Sequence, residues 1–209
     1  MSVPSVGEQF QDLERQSTTL RFGMWIFLAS ELLLFSGLFA LYAAYRTMYG
    51  EDFVAALHHN TLAYGTVNTY VLLTSSFAIA LALGCVQRDA RRWAVFFVGI
   101  TVLLGLAFLG IKIAEYAVHV HEGALVGPYY HNEEDPTLGG NRFYTLYWLT
   151  TGAHALHVTG GLGVLLWTGW RTARGRYSSA YYTKFEMATL YWHFVDVMWL
   201  FIWPIYYLA

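Results

Sequence analysis

Five long apolar runs, separated by short polar breaks, constrain this chain more than any other feature. They cover residues 22–46, 65–86, 93–118, 144–170 and 183–208. A transmembrane helix needs about 20 predominantly apolar residues to cross roughly 30 Å of hydrocarbon, and each run meets that length. Because backbone polar groups must be paired internally in lipid, and because the runs are continuous rather than alternating, they predict helices and not β-strands. The predicted fold is an all-α polytopic membrane bundle of five transmembrane helices within residues 22–209.

The composition excludes several other classes of protein. Hydrophobic residues make up 56% of the chain and charged residues only 12%, against a charged share of about 25% in typical soluble domains. So few charges cannot cover a soluble globule, and a net charge of −2 argues against a nucleic-acid partner. The single cysteine, Cys85, excludes a disulfide framework and a multi-thiolate metal site.

The distribution of basic residues predicts the orientation of the bundle. Cytoplasmic loops of membrane proteins are enriched in Lys and Arg, and with the N-terminus inside, nine of the twelve basic residues fall in inner segments. The predicted topology is therefore N-in/C-out. Residues 1–21 lack the basic n-region of a signal peptide and are predicted to be a cytoplasmic N-terminal lead-in.

The predicted outer loops are acidic, which has two interpretations. This face could dock a basic electron carrier, or the acids collect there because basic residues are excluded. The acidic residues of these loops are Glu51, Asp52, Glu122, Glu133, Glu134 and Asp135.

Small residues recur at every fourth position in three of the runs, which predicts close packing between helices. The three series are Ser36, Ala40 and Ala44, then Ser76, Ala80 and Gly84, and finally Ala155, Thr159 and Gly163.

Ionisable residues inside the apolar runs are the candidate site residues, because a charge at mid-bilayer costs about 2.5–3.5 kcal/mol. Glu31 lies nine residues into the first run and could relay protons, hold a lipid headgroup or cation, or pack as a neutral, hydrogen-bonded acid. His154 and His157, three apart, share a helix face. They could ligate haem or a metal, but the last run offers only His193 as a match, so hydrogen bonding inside the bundle is favoured.

Other ionisable groups lie in the third and last runs. In the last run Glu186, His193 and Asp196 fall within about 80° of each other on a helical wheel. Each needs a partner from another helix, and Glu31 and the histidine pair are candidates. Lys112 and Glu115 are predicted to pair with each other near the outer surface.

Basic residues around the last loop could attract an anionic lipid headgroup at the inner face. The candidates are Arg171, Arg174 and Lys184. The alternative is that these residues only follow the positive-inside rule.

Five motifs in order resemble subunit III of the haem–copper cytochrome c oxidases. They are GMWIFLASELLLF at 23–35, NTYVLLTSS at 68–76, KIAEY at 112–116, TGAHALHVTGG at 151–161 and YWHFVDVMW at 191–199. The resemblance covers nearly all of residues 20–209. It is similar to the short bacterial form, which has five helices and lacks the two N-terminal helices of the seven-helix form.

The resemblance implies an accessory subunit in the bacterial plasma membrane, with no catalytic residue, metal or cofactor of its own. Haem and copper are then held by partner subunits, with subunit I in direct contact and subunit II in the same complex. The family binds phospholipid in a cleft, supports proton uptake into subunit I and slows its inactivation. The membrane glutamate of the family corresponds to Glu31, and its histidine pair to His154 and His157.

Glu31 also bears on the electron donor. Members that serve quinol oxidases tend to have Asp at this position, so Glu31 favours the cytochrome c branch. A related subunit accompanies nitric oxide reductases.

Two functions of other classes remain as alternatives. The chain could be a stand-alone haem- or quinone-binding redox protein using His154, His157 and His193, which predicts visible absorbance in the isolated chain. It could also be a small transporter or proton channel built on Glu31, Asp196 and Glu186, but the chain shows neither an inverted repeat nor obviously broken helices.

Overall fold

The computed structural model of the chain describes residues 13–133 and 135–208, except for the side chains at positions 13 and 59. Residues 1–12 of the predicted lead-in, and Glu134 of the predicted acidic loops, lie outside the described residues. The described residues form six α-helices: α1 Leu13–Met48, α2 Gly50–His59, α3 Leu62–Gln87, α4 Arg91–His121, α5 Leu138–Ala173 and α6 Thr183–Tyr207.

The prediction of an all-α fold is confirmed. The described residues contain no sheet, and the one β-bridge joins Ser178 to Tyr181 in a loop. Each predicted apolar run coincides with one long helix, with the last run reaching one residue past the end of α6. Helices α1, α3 and α4 are both long and apolar enough to cross a membrane. The chain is therefore a membrane protein.

The first helix begins earlier than expected. It starts at Leu13, so residues 13–21 of the predicted lead-in form its first turns instead of a separate segment. No Gly or Pro occurs between residues 8 and 22 to interrupt the helix, which accounts for the extension.

The short helix α2 was not predicted, because its ten residues lie in a polar break between two apolar runs. It packs on the ends of α1 and α5 through Phe53, whose ring is 5.4 Å from Tyr42 and 5.5 Å from Phe143. Asp52 accepts a hydrogen bond at 3.2 Å from the backbone amide of Gly139. Because the first amides of a helix lack intrahelical partners, this contact joins α2 to the start of α5.

The five long helices pack in two layers. In the first layer α6 lies between α1 and α3, and in the second α5 and α4 lie side by side against it. Among the described residues, no Cα of α1 comes within 8 Å of a Cα of α3. The helix α6 is therefore the middle member of its layer, with one face toward α5 and the opposite face outward.

The layers meet around Trp192 of α6, which is fully buried. Its ring fills the space left by Gly105 of α4 and Gly161 of α5, where an added Cβ would lie within 2.8 and 2.9 Å of it. Its indole Nε1 donates to Ser75 Oγ on α3 at 3.0 Å. Close packing at this point thus depends on the Trp192 ring lying against two glycines, which have no side chain.

The predicted close packing through the three small-residue series is not found within this chain. Ser36, Ala40 and Ala44 of the first series are all exposed on the surface of the bundle, as are Ala80 of the second series and Thr159 and Gly163 of the third. Large side chains of α1 make the contacts instead, since Phe35 and Tyr42 are buried.

The two ends of the bundle differ in charge. The turn at 88–90, the loop at 174–182 and the start of α1 meet at one end, here called the basic end. There Asp89 accepts hydrogen bonds from the backbone amide and the hydroxyl of Ser179, at 2.8 and 2.6 Å. These bonds favour the carboxylate and lower the pKa of Asp89 below its usual value. The opposite end, with α2 and the loop at 122–137, is called the acidic end.

Candidate functional site

Glu31 and His157 form a pair between α1 and α5. Glu31 Oε2 lies 2.8 Å from His157 Nε2, and the two side chains are 17% and 18% exposed. Nδ1 of the same imidazole lies 2.7 Å from the carbonyl oxygen of Ala153. A carbonyl oxygen can only accept a hydrogen bond, so Nδ1 carries a proton and donates it.

The proton on Nδ1 limits the protonation states that are open to the Glu31–His157 pair. If the imidazole is neutral, Nε2 has a lone pair and the Glu31 carboxyl must donate the proton. If the imidazole is cationic, Nε2 donates to a carboxylate. In both cases one proton lies between Nε2 and Oε2, and the pair carries no net charge, which limits the cost of burial in a membrane.

His154 does not join this pair, although the sequence places it three residues away on the same helix. Its side chain is fully buried, and neither ring nitrogen hydrogen-bonds to a described residue. The ring packs against aromatic side chains, at 5.5 Å from Phe108 and 5.2 Å from Trp199. His154 therefore occupies the aromatic core, whereas His157 faces α1.

The three candidate residues of α6 have different surroundings. Glu186 forms an ion pair with Arg21 of α1 at 2.9 Å, and His193 Nδ1 lies 2.6 Å from Ser76 Oγ of α3. Asp196 is buried, and neither of its carboxyl oxygens hydrogen-bonds to a described residue. Glu31 pairs with His157 rather than with these residues. The helical wheel placed the three residues on one arc, but it could not show which neighbouring helix each would meet.

The predicted pairing of Lys112 with Glu115 is confirmed, at 3.0 Å. Both side chains are 2% exposed, so the pair is buried inside the bundle. Two tyrosines that the sequence did not indicate complete the cluster. Lys112 Nζ donates to the hydroxyls of Tyr147 and Tyr207 at 2.9 and 2.7 Å, and each hydroxyl donates to Glu115 Oε1, at 2.6 and 2.5 Å.

This cluster joins α4, α5 and α6 in the half of the bundle nearer the acidic end. His119 lies beside it, with Nε2 3.9 Å from Glu115 Oε1 and Nδ1 3.3 Å from Glu122 Oε2. The Glu122 side chain is 46% exposed. The sequence did not identify Tyr147 and Tyr207 as members of this cluster, because tyrosines near helix ends are also typical of the aromatic belt of membrane proteins.

A cavity of about 640 Å³ lies between α1, α5 and α6. Its walls are mainly apolar, with Met24 and Phe27 from α1, Val164 and Trp167 from α5, and Lys184 from α6. It ends near the Glu31–His157 pair, because Tyr191 lines it and donates from its hydroxyl to the carbonyl of His157 at 3.2 Å.

The predicted headgroup residues divide into two groups around this cavity. Lys184 lines it. Arg171 and Arg174 do not, and their guanidinium groups stack on Trp167 and Trp170 at 4.8 and 4.1 Å. Arg171 still lies close to the cavity, because Trp167, on which it stacks, forms part of the cavity wall.

No group of three or more His, Cys, Asp or Glu side chains in the described part of the chain is arranged to hold a metal ion. The fold and the site define an all-helical membrane protein in which the Glu31–His157 pair and the Lys112 cluster each join different helices.

Comparison with known proteins identifies the family. The family described as cytochrome c oxidase subunit III matches residues 11–209, and the chain belongs to it. It is thus subunit III of a haem–copper oxidase, a part of a multi-subunit respiratory complex.

Similar relatives carry two different names. Cytochrome c oxidase subunit 3 of Bacillus sp. (strain PS3) is 35% identical over 209 residues, covering 99% of this chain and 93% of the relative. Quinol oxidase subunit 3 of Bacillus spizizenii is 34% identical over 204 residues, covering 94% and 91%. Cytochrome c oxidase subunit 3 of Thermostichus vulcanus is 34% identical over 191 residues, covering 89% and 85%.

Proposed function

We propose that this chain is a non-redox accessory subunit of a proton-pumping terminal oxidase that transfers electrons from cytochrome c to oxygen. It binds phospholipid, stabilises subunit I and supports proton uptake into it, in the plasma membrane of a bacterium. Haem and copper are held by the partner subunits. The observation that carries the proposal is the Glu31–His157 pair, a one-proton site next to an apolar cavity that opens near basic residues.

The proposed topology has five spans, with the N-terminus and the basic end inside. Helices α5 and α6 are 36 and 25 residues long, or about 54 and 37 Å at 1.5 Å per residue, which is enough to cross the hydrocarbon. The contacts Arg21–Glu186 and Asp89–Ser179 support the same arrangement, since they join the segments predicted to be inside.

The cavity is the proposed phospholipid site. Its apolar walls suit acyl chains, and the ammonium group of Lys184 at its wall suits a phosphate. Arg171, beside Trp167, and Arg174 extend the positive charge around it. An acyl chain in this cavity would reach Tyr191, and through it the helix segment that carries His157.

The Glu31–His157 pair supports the proposed role in proton uptake. The proton between the two residues lies either on Glu31 or on His157. The pair can therefore respond to a nearby charge by a shift of this proton, while its net charge stays zero. In the proposed orientation, α1 and α5 carry it into the membrane from the inner face, where protons enter the oxidase.

The choice of cytochrome c as electron donor rests on Glu31, where quinol-type members tend to have Asp. Relatives of both types match this chain at almost the same identity. A quinol oxidase is therefore the competing assignment, and a nitric oxide reductase complex a further one.

A reduced-minus-oxidised visible spectrum tests the assignment to an oxidase. The tagged chain is isolated from its native membrane with its partners, and separately after expression alone. We expect haem a absorbance in the native complex and none in the isolated chain. Haem absorbance in the isolated chain would contradict the proposal and make His154, His157 and His193 candidate ligands. Reduction by cytochrome c rather than by quinol identifies the donor.

The Glu31→Gln variant tests the role of the pair. The amide still fits beside His157 but cannot exchange a proton, so we expect normal assembly with less bound phospholipid or earlier inactivation during turnover. Glu51→Gln on α2 is the matched control, because it removes a carboxyl outside the pair. Unchanged phospholipid content together with unchanged turnover lifetime in Glu31→Gln would refute the role.

A further inference from the structure

The residues of α1 that line the cavity form a stripe that leads to Glu31. Leu20, Met24 and Phe27 line the cavity, and Glu31 follows Phe27 at the four-residue spacing that keeps side chains on one helix face. Thr19 also lines the cavity and lies about 18 Å before Glu31 along the helix. The cavity therefore extends along α1 from the basic end toward Glu31.

A second stripe, on α5, leads to His157 in the same way. Val164 and Gly160 line the cavity, and His157 lies three residues before Gly160, on the same helix face. On the wall formed by α6, the Tyr191 hydroxyl donates to the backbone carbonyl of His157 at 3.2 Å. Because the two stripes converge on the two partners, the Glu31–His157 pair closes the deep end of the cavity.

The surroundings of the pair decide where its proton lies. Imidazole is a stronger base than carboxylate, so a pair in contact with water holds the proton on His157, as carboxylate and imidazolium. An apolar environment disfavours charged forms, so a dry pair holds the proton on Glu31, as carboxylic acid and neutral imidazole. Both forms fit the 2.8 Å contact between Oε2 and Nε2. The side chains are 17% and 18% exposed, so the contents of the cavity can reach them.

We infer that an acyl chain in the cavity sets the position of the proton in the Glu31–His157 pair. A chain that fills the cavity keeps water from the pair, and the proton lies on Glu31. Without the chain, water enters from the basic end, where Thr19 and Lys184 line the cavity, and the proton moves to His157. The inference rests on the proposed function, since that function supplies the phospholipid.

Infrared spectroscopy of the whole oxidase tests this coupling, because a carboxylic acid and a carboxylate absorb at different frequencies. The complex is stripped of lipid in digitonin, a steroid detergent without a flexible alkyl chain. It is then reloaded with phosphatidylglycerol that carries either two oleyl or two hexyl chains. Both lipids are ether-linked, so that no lipid carbonyl overlaps the signal, and the hexyl chains are too short to reach the deep end.

The band of Glu31 is identified by its absence in Glu31→Gln. We expect a carboxylic acid band of Glu31 with the oleyl lipid, and a band weakened about twofold or more with the hexyl lipid, because water then reaches the pair. Equal bands with the two lipids would overturn the inference.

A substitution that fills the cavity tests the same coupling with a side chain in place of the lipid. A Cβ added at Gly160 meets only the Tyr191 hydroxyl within 4 Å, at 3.9 Å. Gly160→Leu therefore adds apolar atoms at the deep end, and we expect it to keep the acid band of Glu31 even with the hexyl lipid. Gly110→Leu on the exposed face of α4, where an added Cβ meets nothing within 4 Å, is the matched control and should behave like the wild type. A weakened band in Gly160→Leu would contradict the coupling.

Failure of this inference can be distinguished from failure of the proposed function. If the complex retains the oleyl lipid after washing but the Glu31 band is the same with both lipids, the coupling is wrong and the proposed phospholipid site stands. If the complex does not retain the oleyl lipid, the proposed phospholipid site fails, and the inference fails with it.

Discussion

Lys112 and Glu115 are joined by an ion pair of 3.0 Å that is almost completely removed from solvent. All three ammonium protons of Lys112 have acceptors, namely Glu115 and the hydroxyls of Tyr147 and Tyr207. The carboxylate in turn accepts from both tyrosines. Buried ions are tolerated where their hydrogen-bonding capacity is filled in this way.

The stability of the chain should depend strongly on completing this cluster. Lys112→Met leaves an uncompensated carboxylate in the bundle, so we expect a loss of about 3–5 kcal/mol, measured by denaturant unfolding of the purified complex. The double variant Lys112→Met/Glu115→Gln should recover part of the loss, because it removes the unpaired charge. Lys184→Met is the control outside the cluster. A double variant less stable than the single one would contradict this account.

The two neighbouring histidines should respond differently to the same substitution. His157→Phe leaves the partly buried Glu31 carboxyl without its partner, at an expected cost of about 1–3 kcal/mol. His154→Phe exchanges one ring for another in an aromatic pocket where the nitrogens have no described partner, so the change should stay within about 1.5 kcal/mol. Thermal unfolding of the two variants measures the difference. Equal losses would show that His154 has a polar role.

Because the Trp192 ring fills the space beside Gly105, even an alanine at position 105 should destabilise the chain. In Gly105→Ala the new Cβ would lie 2.7 Å from Leu162 and 2.8 Å from Trp192, so we expect a loss of about 1–3 kcal/mol from overpacking. Gly110→Ala in the same helix meets nothing within 4 Å and should be neutral or stabilising by up to about 1 kcal/mol. Melting temperatures of the two variants provide the comparison, and a reversed order would contradict the packing.

The stabilising link at the basic end, formed by the hydrogen bonds between Asp89 and Ser179, should depend on pH. The Ser179 hydrogen bonds hold the pKa of Asp89 below its usual value of 3.8, so the link contributes stability above that value and loses it as pH falls through the folded-state pKa. Carbon-13 NMR of the carboxyl measures this pKa directly, and it should rise toward 3.8 in Ser179→Ala. An unchanged pKa in that variant would exclude Ser179 as the cause.

Much of the fold follows from the sequence, because the apolar runs are long and their breaks are polar. The helix α2 could not be predicted, since its burial depends on Phe53 meeting Tyr42 and Phe143, which are distant in the chain. The extension of α1 to Leu13 likewise lies beyond the apolar run.

The candidate site was predictable in its members but not in its partners. Glu31 and His157 stand out because ionisable residues are rare in apolar runs, and Lys112 and Glu115 pair at a spacing that any helix brings together. Whether Glu31 meets α5 or α6 depends on the arrangement of helices, which periodicity does not encode. The same reason hid Arg21 as the partner of Glu186, and Tyr147 and Tyr207 as members of the lysine cluster.

The ring of hydrogen bonds around Lys112 has a consequence for the electrical behaviour of the bundle. Each tyrosine hydroxyl accepts one hydrogen bond from Lys112 and donates one to Glu115. The ammonium and carboxylate groups lie 3.0 Å apart within this ring, so together they add a dipole but no net charge to this half of the bundle. The electric field of such a dipole falls off with distance faster than that of a single ion, so a charge that moves in a neighbouring subunit would feel little of either Lys112 or Glu115.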